Sequence, residues 1–92
     1  MSRARLTEDE ITAGLAGLPD WSREGDTITR TAEAADFPAA VRVVVSVAAT
    51  AEEMDHHPDI LISYRRVTLT LTSHDSGGLT DRDFRLAGRI DG

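Results

Sequence analysis

Apolar residues recur along this chain with two periods, and the switches between them outline seven elements. Thr7-x-x-Glu10 is a capping-box pattern, and Ile11, Leu15 and Leu18 follow at helical spacing. This predicts a first helix over about residues 8–17, stopped by Gly17 and Pro19. Trp21 is expected to begin a short strand, Arg23-Glu24-Gly25-Asp26 to turn, and the β-branched run Thr27–Thr31 to return as the second strand of a hairpin. Asp36 is a suitable N-cap, with Pro38 in the first turn after it. Between Phe37 and about Asp55, Val43-Val44-Val45 taken alone suggests a strand. However, Phe37, Val41, Val44, Val45, Ala48 and Ala51 share one 3.6-residue face, and the segment holds no turn residue and is too long for a usual strand. A long second helix is therefore expected there.

Pro58 ends that helix and biases His57 toward extended backbone. Ile60, Ile62 and Tyr64 alternate with Leu61 and Ser63, and Val67, Leu69 and Leu71 alternate with Thr68, Thr70 and Thr72, giving two more strands. By the same parity His74 is expected on the threonine face at the end of the last strand. Asp75-Ser76-Gly77-Gly78 is a turn. Thr80-x-x-Asp83 starts a third helix, with Leu79 and Phe84 placed as a hydrophobic staple and Leu86 and Ile90 continuing its apolar side. The order α-β-β-α-β-β-α implies an α+β fold: a four-stranded, mainly antiparallel sheet with helices packed on one face. The threonine face is left for solvent, a partner subunit or a ligand.

Composition narrows the function. At 92 residues the chain is expected to form a single domain, residues 1–92, small enough that oligomerisation is a reasonable source of stability. The net charge of −6 argues against a nucleic-acid partner. There is no cysteine, hence no disulfide framework or thiolate zinc site, and no lysine, hence no Schiff-base chemistry. No apolar run approaches the ~20 residues of a membrane span. The basic start Met1-Ser2-Arg3-Ala4-Arg5 is followed by Thr7-Glu8-Asp9-Glu10 where a signal peptide would have its apolar core. The cytoplasm is the expected location.

All three histidines, His56, His57 and His74, lie close to Glu52, Glu53 and Asp55 in sequence or at the end of the facing strand. Histidine takes and gives protons near neutral pH, so such a cluster suits proton transfer. Glu52 and His56 are four apart and would be neighbours on one helix face, where the carboxylate orients the imidazole. Glu52, His56 and His74 form a rival set of metal ligands. Their spacing matches neither HExxH nor another zinc motif, and no metal is expected. There is no GxSxG elbow and no glycine-rich phosphate loop. Asp83 is accounted for by the capping box alone, and Trp21 reads as core.

The spacing Glu52, three residues, His56-His57-Pro58, five residues, Tyr64, nine residues, His74 and then Asp83 resembles the pterin-4a-carbinolamine dehydratase family. The likeness extends to Leu79-Thr80-Asp81-Arg82-Asp83 and Trp21, and so covers most of the chain from Leu18 onward. Ile60 stands where many members carry tryptophan. The resemblance implies the same α+β fold and dehydration of 4a-hydroxytetrahydropterin to quinonoid dihydropterin, which recycles the cofactor of aromatic amino-acid hydroxylases. It implies His56, His57 and His74 as the catalytic set, with Glu52, Asp55 and Asp83 binding the pterin or orienting an imidazole. Also implied are a pterin as substrate, no cofactor, a homodimer or homotetramer, and a hydroxylase as functional partner. The competing reading is a non-catalytic interaction protein of the same fold, since animal relatives double as dimerisation partners of a transcription factor.

Overall fold

In the computed structural model, which describes residues 4–92, Thr7 and Glu10 exchange the two bonds of a capping box and start helix α1 (Glu8–Ala16). Met1, Ser2 and Arg3 of the basic start lie outside the described residues. Strands β1 (Ser22–Glu24) and β2 (Thr27–Glu33) form a hairpin whose turn places Gly25 at φ +60°, where a Cβ would be strained. Trp21 stands just before β1 and not within it. The Asp36 side chain accepts the Ala39 N–H at 2.9 Å and opens helix α2 (Phe37–Met54). Strands β3 (Asp59–Ser63) and β4 (Arg66–Leu71) make the second hairpin, and helix α3 (Asp81–Asp91) follows. The element order is the expected one.

The sheet runs β1-β2-β4-β3 with every neighbouring pair antiparallel. Its central ladder sets Ile28 against Leu71, Arg30 against Leu69 and Ala32 against Val67. Strand alternation therefore turns the apolar residues to the helices and the threonines to the other face. On that face the Thr31 and Thr68 hydroxyls lie 3.0 Å apart. One core joins Ile28, Val67, Leu69 and Leu71 of the sheet to Ile11 of α1, Ala40, Val47 and Ala51 of α2, and Leu86 and Ala87 of α3.

The second helix exists as expected, and of the face that shares its period only part is buried. Ala40, Val47 and Ala51 are buried, with Val44 and Met54 packed beside them. Phe37, Val41 and Val45, which share the 3.6-residue face identified in the sequence, are exposed, Val45 by 64%. The helix is apolar on most sides, so periodicity alone leaves the buried face open. Ala40 and Ala51 are among the residues that meet the sheet, whereas the equally small Ala48 and Ala49 face outward. The displaced residues form an outward stripe of apolar surface.

Both ends of α3 are tied down. At its C-terminal end the Trp21 indole N–H is shared between both carboxylate oxygens of Asp91, each at 3.0 Å, and Asp91 also pairs with Arg30 of β2. Near its start, Phe84 packs over Gly14 of α1, where a Cβ would meet the ring at 2.7 Å. A mid-helix glycine costs roughly 1 kcal/mol against alanine, and the close approach of Phe84 explains why one stands here. Gly14→Val is expected to lower stability by about 1–2 kcal/mol, because the overpacking exceeds the gain in helix propensity. The shift of the urea midpoint at unchanged slope measures it.

Candidate active site

The helix α2 does not run through its histidines. It stops at Met54, and Asp55 takes a left-handed conformation at φ 50°, ψ 44°, one that aspartate tolerates better than most residues. Its N–H and that of His56 cap the last turn by donating to Glu52 O and Ala51 O. The reversal at Asp55 separates the two imidazoles. His56 goes inward and is only 8% exposed, while His57 goes outward.

His56 Nε2 lies 2.6 Å from Oδ1 of Asp83, a residue with no exposed surface. The other oxygen of Asp83 accepts the Thr80 N–H at 3.0 Å, which is the capping bond, and the Ser73 hydroxyl at 2.9 Å. Ser73 Oγ is also 2.8 Å from the Thr80 hydroxyl. An ionised carboxylate can only accept, so a charged Asp83 takes the His56 Nε2–H and leaves Nδ1 outside this bond. The expectation that Glu52 orients His56 is therefore corrected. Glu52 instead lies 2.8 Å from His57 Nε2, on the surface, because the left-handed Asp55 breaks the i, i+4 register. The pair is exposed and screened, and such pairs contribute little to stability.

His74 is also displaced from its expected place. Strand β4 ends at Leu71, Ser73 forms an isolated bridge with Gly78, and His74 opens a single 3₁₀ turn, His74–Ser76. Its side chain is exposed, and its imidazole has no hydrogen-bond partner among the described residues. Tyr64, part of the sequence motif, sits 69% exposed at the β3–β4 turn with φ 54° and does not line the site.

Asp55, His56, His57, Thr72, His74, Asp75 and Arg82 together line one open cleft of about 340 Å³. That is within the usual range for a small-molecule site. Glu52 and Asp83 stand behind it, each holding one imidazole. Among the described residues no three histidine or carboxylate side chains are arranged to hold a metal ion. A polar cavity of about 390 Å³ beside Arg5, Glu8, Arg23 and Asp26 has no group that exchanges protons near neutral pH. Residue-level reading had missed Ser73 and Thr80, which complete the Asp83 cluster, and Thr72, Asp75 and Arg82, which line the cleft. The one signal for them was the capping box, whose acid proved to have a second partner. Arg82 is held in its charged form even more strongly than an ordinary arginine, first by its bond to Asp75.

Residues 4–92 match the family described as pterin 4 alpha carbinolamine dehydratase. A relative from Chloroflexus aurantiacus is 56% identical over 87 residues, 95% of this chain and 94% of its own. Another from Nocardia farcinica is 50% identical over 91 residues, 99% and 96% of the two chains. Both bear the name "putative pterin-4-alpha-carbinolamine dehydratase". A crystal structure of a transcriptional coactivator/pterin dehydratase from Brucella melitensis superposes with a TM-score of 0.90 at 35% identity, over 95% of each chain.

Asp83→Ala removes the acceptor for His56, Ser73 and the Thr80 N–H at once, leaving buried donors unpaired. The loss is expected to be at least about 2 kcal/mol. Glu52→Ala, which frees only the exposed His57, is expected to cost no more than about 0.5 kcal/mol. Paired urea titrations of the two variants check both values.

Proposed function

Because this chain belongs to the pterin-4-alpha-carbinolamine dehydratase family, we propose that it removes water from a 4a-hydroxytetrahydropterin to give the quinonoid dihydropterin. The observation that most supports this reading is a single cleft lined by three imidazoles, one of them backed by a buried carboxylate. The reaction needs two proton transfers. The 4a-hydroxyl takes a proton and leaves as water as its C–O bond breaks. The proton on N5 is removed as the N5–C4a double bond forms.

The catalytic set is His56, His57 and His74. His56 suits the base. Its Nε2–H is committed to Asp83, so Nδ1 can take the N5 proton, and the carboxylate stabilises the imidazolium that results. His74 suits the acid, since no hydrogen bond to a described residue holds its ring back from the leaving hydroxyl. His57, steadied by Glu52, bounds the cleft and shares the proton traffic with solvent. Asp55, on the cleft wall, is placed to accept from the pterin's N–H groups. General acid and base steps of this kind each contribute about 10²–10⁴-fold. The reading calls for no metal or organic cofactor, because side chains move both protons and the pterin is the substrate.

The same reading gives the protein a place in the cytoplasm and an aromatic amino-acid hydroxylase as functional partner, since that reaction produces the 4a-hydroxypterin. Among the described residues no helix is long and apolar enough to cross a membrane. It also gives a homodimer or homotetramer. Among the described residues the large exposed apolar side chains, Phe37, Val41, Val43, Val45, Ile60, Leu61 and Tyr64, all fall on α2 and the β3–β4 hairpin, a concentration typical of interaction surfaces. The same surface, with the coactivator name of the Brucella neighbour, supports the alternative of a non-catalytic interaction protein.

The decisive assay is stopped-flow decay of 4a-hydroxytetrahydropterin generated in situ by a phenylalanine hydroxylase. The protein is expected to accelerate decay well above the spontaneous rate and to be insensitive to chelator. His74→Ala is expected to fold normally and lose at least about tenfold in turnover, and His56→Ala/His74→Ala to lose the acceleration. No acceleration from folded protein would favour the interaction reading, and loss of activity to chelator would overturn the metal-free one. Val45→Glu is expected to reduce the particle mass measured by light scattering toward that of a single chain.

A further inference from the structure

Arg82 lies on the cleft between the two acids that open α3, Asp81 and Asp83, and nothing so far gives it a role. Its side chain is largely buried and its donors are committed to the turn that bears His74. Nη2 donates to Asp75 Oδ1 at 2.7 Å and to Ser76 Oγ at 3.2 Å. Nη1 donates to Asp75 Oδ2 at 3.3 Å, and Nε to the Thr80 hydroxyl at 3.3 Å. This is a forked grip on one carboxylate, with the fork braced against the N-cap of its own helix. An ammonium group, a point charge on a flexible stem, cannot reproduce it.

The turn needs such a grip. It spans three residues, His74–Ser76, and runs into Gly77 at φ 74°; backbone bonds between Ser73 and Gly78 close its base, while Asp75 and Ser76, the side chains that tie it to α3, are the ones Arg82 grips. His74 is its first residue, so any rocking of the turn moves the imidazole. One position along α3, Asp83 holds His56. Consecutive residues of a single helical turn thus grip the two elements whose histidines must face one substrate. We propose that Arg82 is a positioning residue for the dehydration: by clamping Asp75 and Ser76 it fixes where His74 stands relative to His56. This rests on the function proposed above, in which those two side chains move the protons. Arg82 itself exchanges no proton in the reaction.

A residue of purely structural value and a positioning residue predict different losses. Misplacing a reacting group by about 1 Å can cost on the order of a hundredfold in rate without weakening substrate binding. Arg82→Gln is therefore expected to lower kcat by about ten- to hundredfold while KM stays within about threefold and the protein stays folded at the assay temperature. Arg82→Lys should recover only a minor part of kcat, and Asp75→Asn should show the same kcat-selective loss. The losses of Arg82→Gln and Asp75→Asn should not add in the double variant, because both break one clamp. A native kcat in Arg82→Gln, or full recovery by lysine, would overturn the proposal. So would a loss confined to KM, or one that merely follows the unfolded fraction.

A second readout keeps this apart from the function itself. In imidazole ¹H–¹³C spectra of the substrate-free protein, Arg82→Gln is expected to shift or broaden the His74 signals and leave those of His57 in place. Unchanged His74 signals would overturn the positioning role whether or not the native protein is a dehydratase. A native protein that fails to accelerate pterin decay, yet shows the His74 change, would overturn the function and leave the clamp standing.

Discussion

The Asp83 carboxylate is the constraint on which this structure depends. It is fully buried, and a buried carboxylate is tolerated only when its lone pairs are occupied. Here they are taken by Thr80 N–H, the Ser73 hydroxyl and His56. Each donor comes from a different part of the fold: the start of α3, the end of the strand region after β4, and the segment leaving α2. One side chain therefore fastens three elements at one point, and that point is the rear wall of the cleft. The fold and the candidate site share the same atoms. The bonds that make burial of Asp83 acceptable also fix the ring of His56.

The far end of α3 shows the same logic with different donors. Asp91 receives the Trp21 indole N–H and pairs with Arg30, so the helix is held to the β1–β2 side of the sheet about two turns away from Asp83. Between these anchors Leu86 and Ala87 are fully buried and Phe84 closes over Gly14. A helix pinned at both ends and packed in its middle is a stiff support. That matters for the proposed reaction, in which two imidazoles on separate segments meet one small molecule, since a regular element holds geometry better than a loop.

Most of the fold was legible in the sequence because its local signals agreed with one another. The two capping boxes, the Asp36 cap and the Val-Thr alternation of residues 67–72 each named an element that the structure contains. Periodicity did not identify the buried face of α2. Valine follows valine through that helix, and alanines stand on its outer side as well as its inner one, so neither apolarity nor size marks which side meets the sheet. The gathering of the histidines was legible in the sequence and their partners were not. Spacing brought His56, His57 and His74 to one rim, and they line one cleft. It then assigned Glu52 to the wrong histidine, because the i, i+4 rule holds only while the helix continues. One left-handed residue, Asp55, ends that rule two positions after Glu53. Asp83 was explained too early, since a capping role was sufficient and the second oxygen was left without a task.

That second oxygen carries a general point about acids at helix starts. A capping box uses one carboxylate oxygen at most, and on an exposed helix water takes the other. Bury the same box and water is excluded, so the free oxygen must find a donor inside the protein or the burial fails. In this fold the nearest segment able to bring one is the chain leaving α2, which the reversal at Asp55 turns inward. A histidine is well suited to that position: it donates through one nitrogen and still keeps the other for exchange with a ligand. Serine or asparagine could satisfy the carboxylate but could not move a proton near neutral pH. Burial of a helix cap thus creates a demand for a donor, and the choice of imidazole to meet it turns a structural requirement into a reactive group at the edge of the cleft.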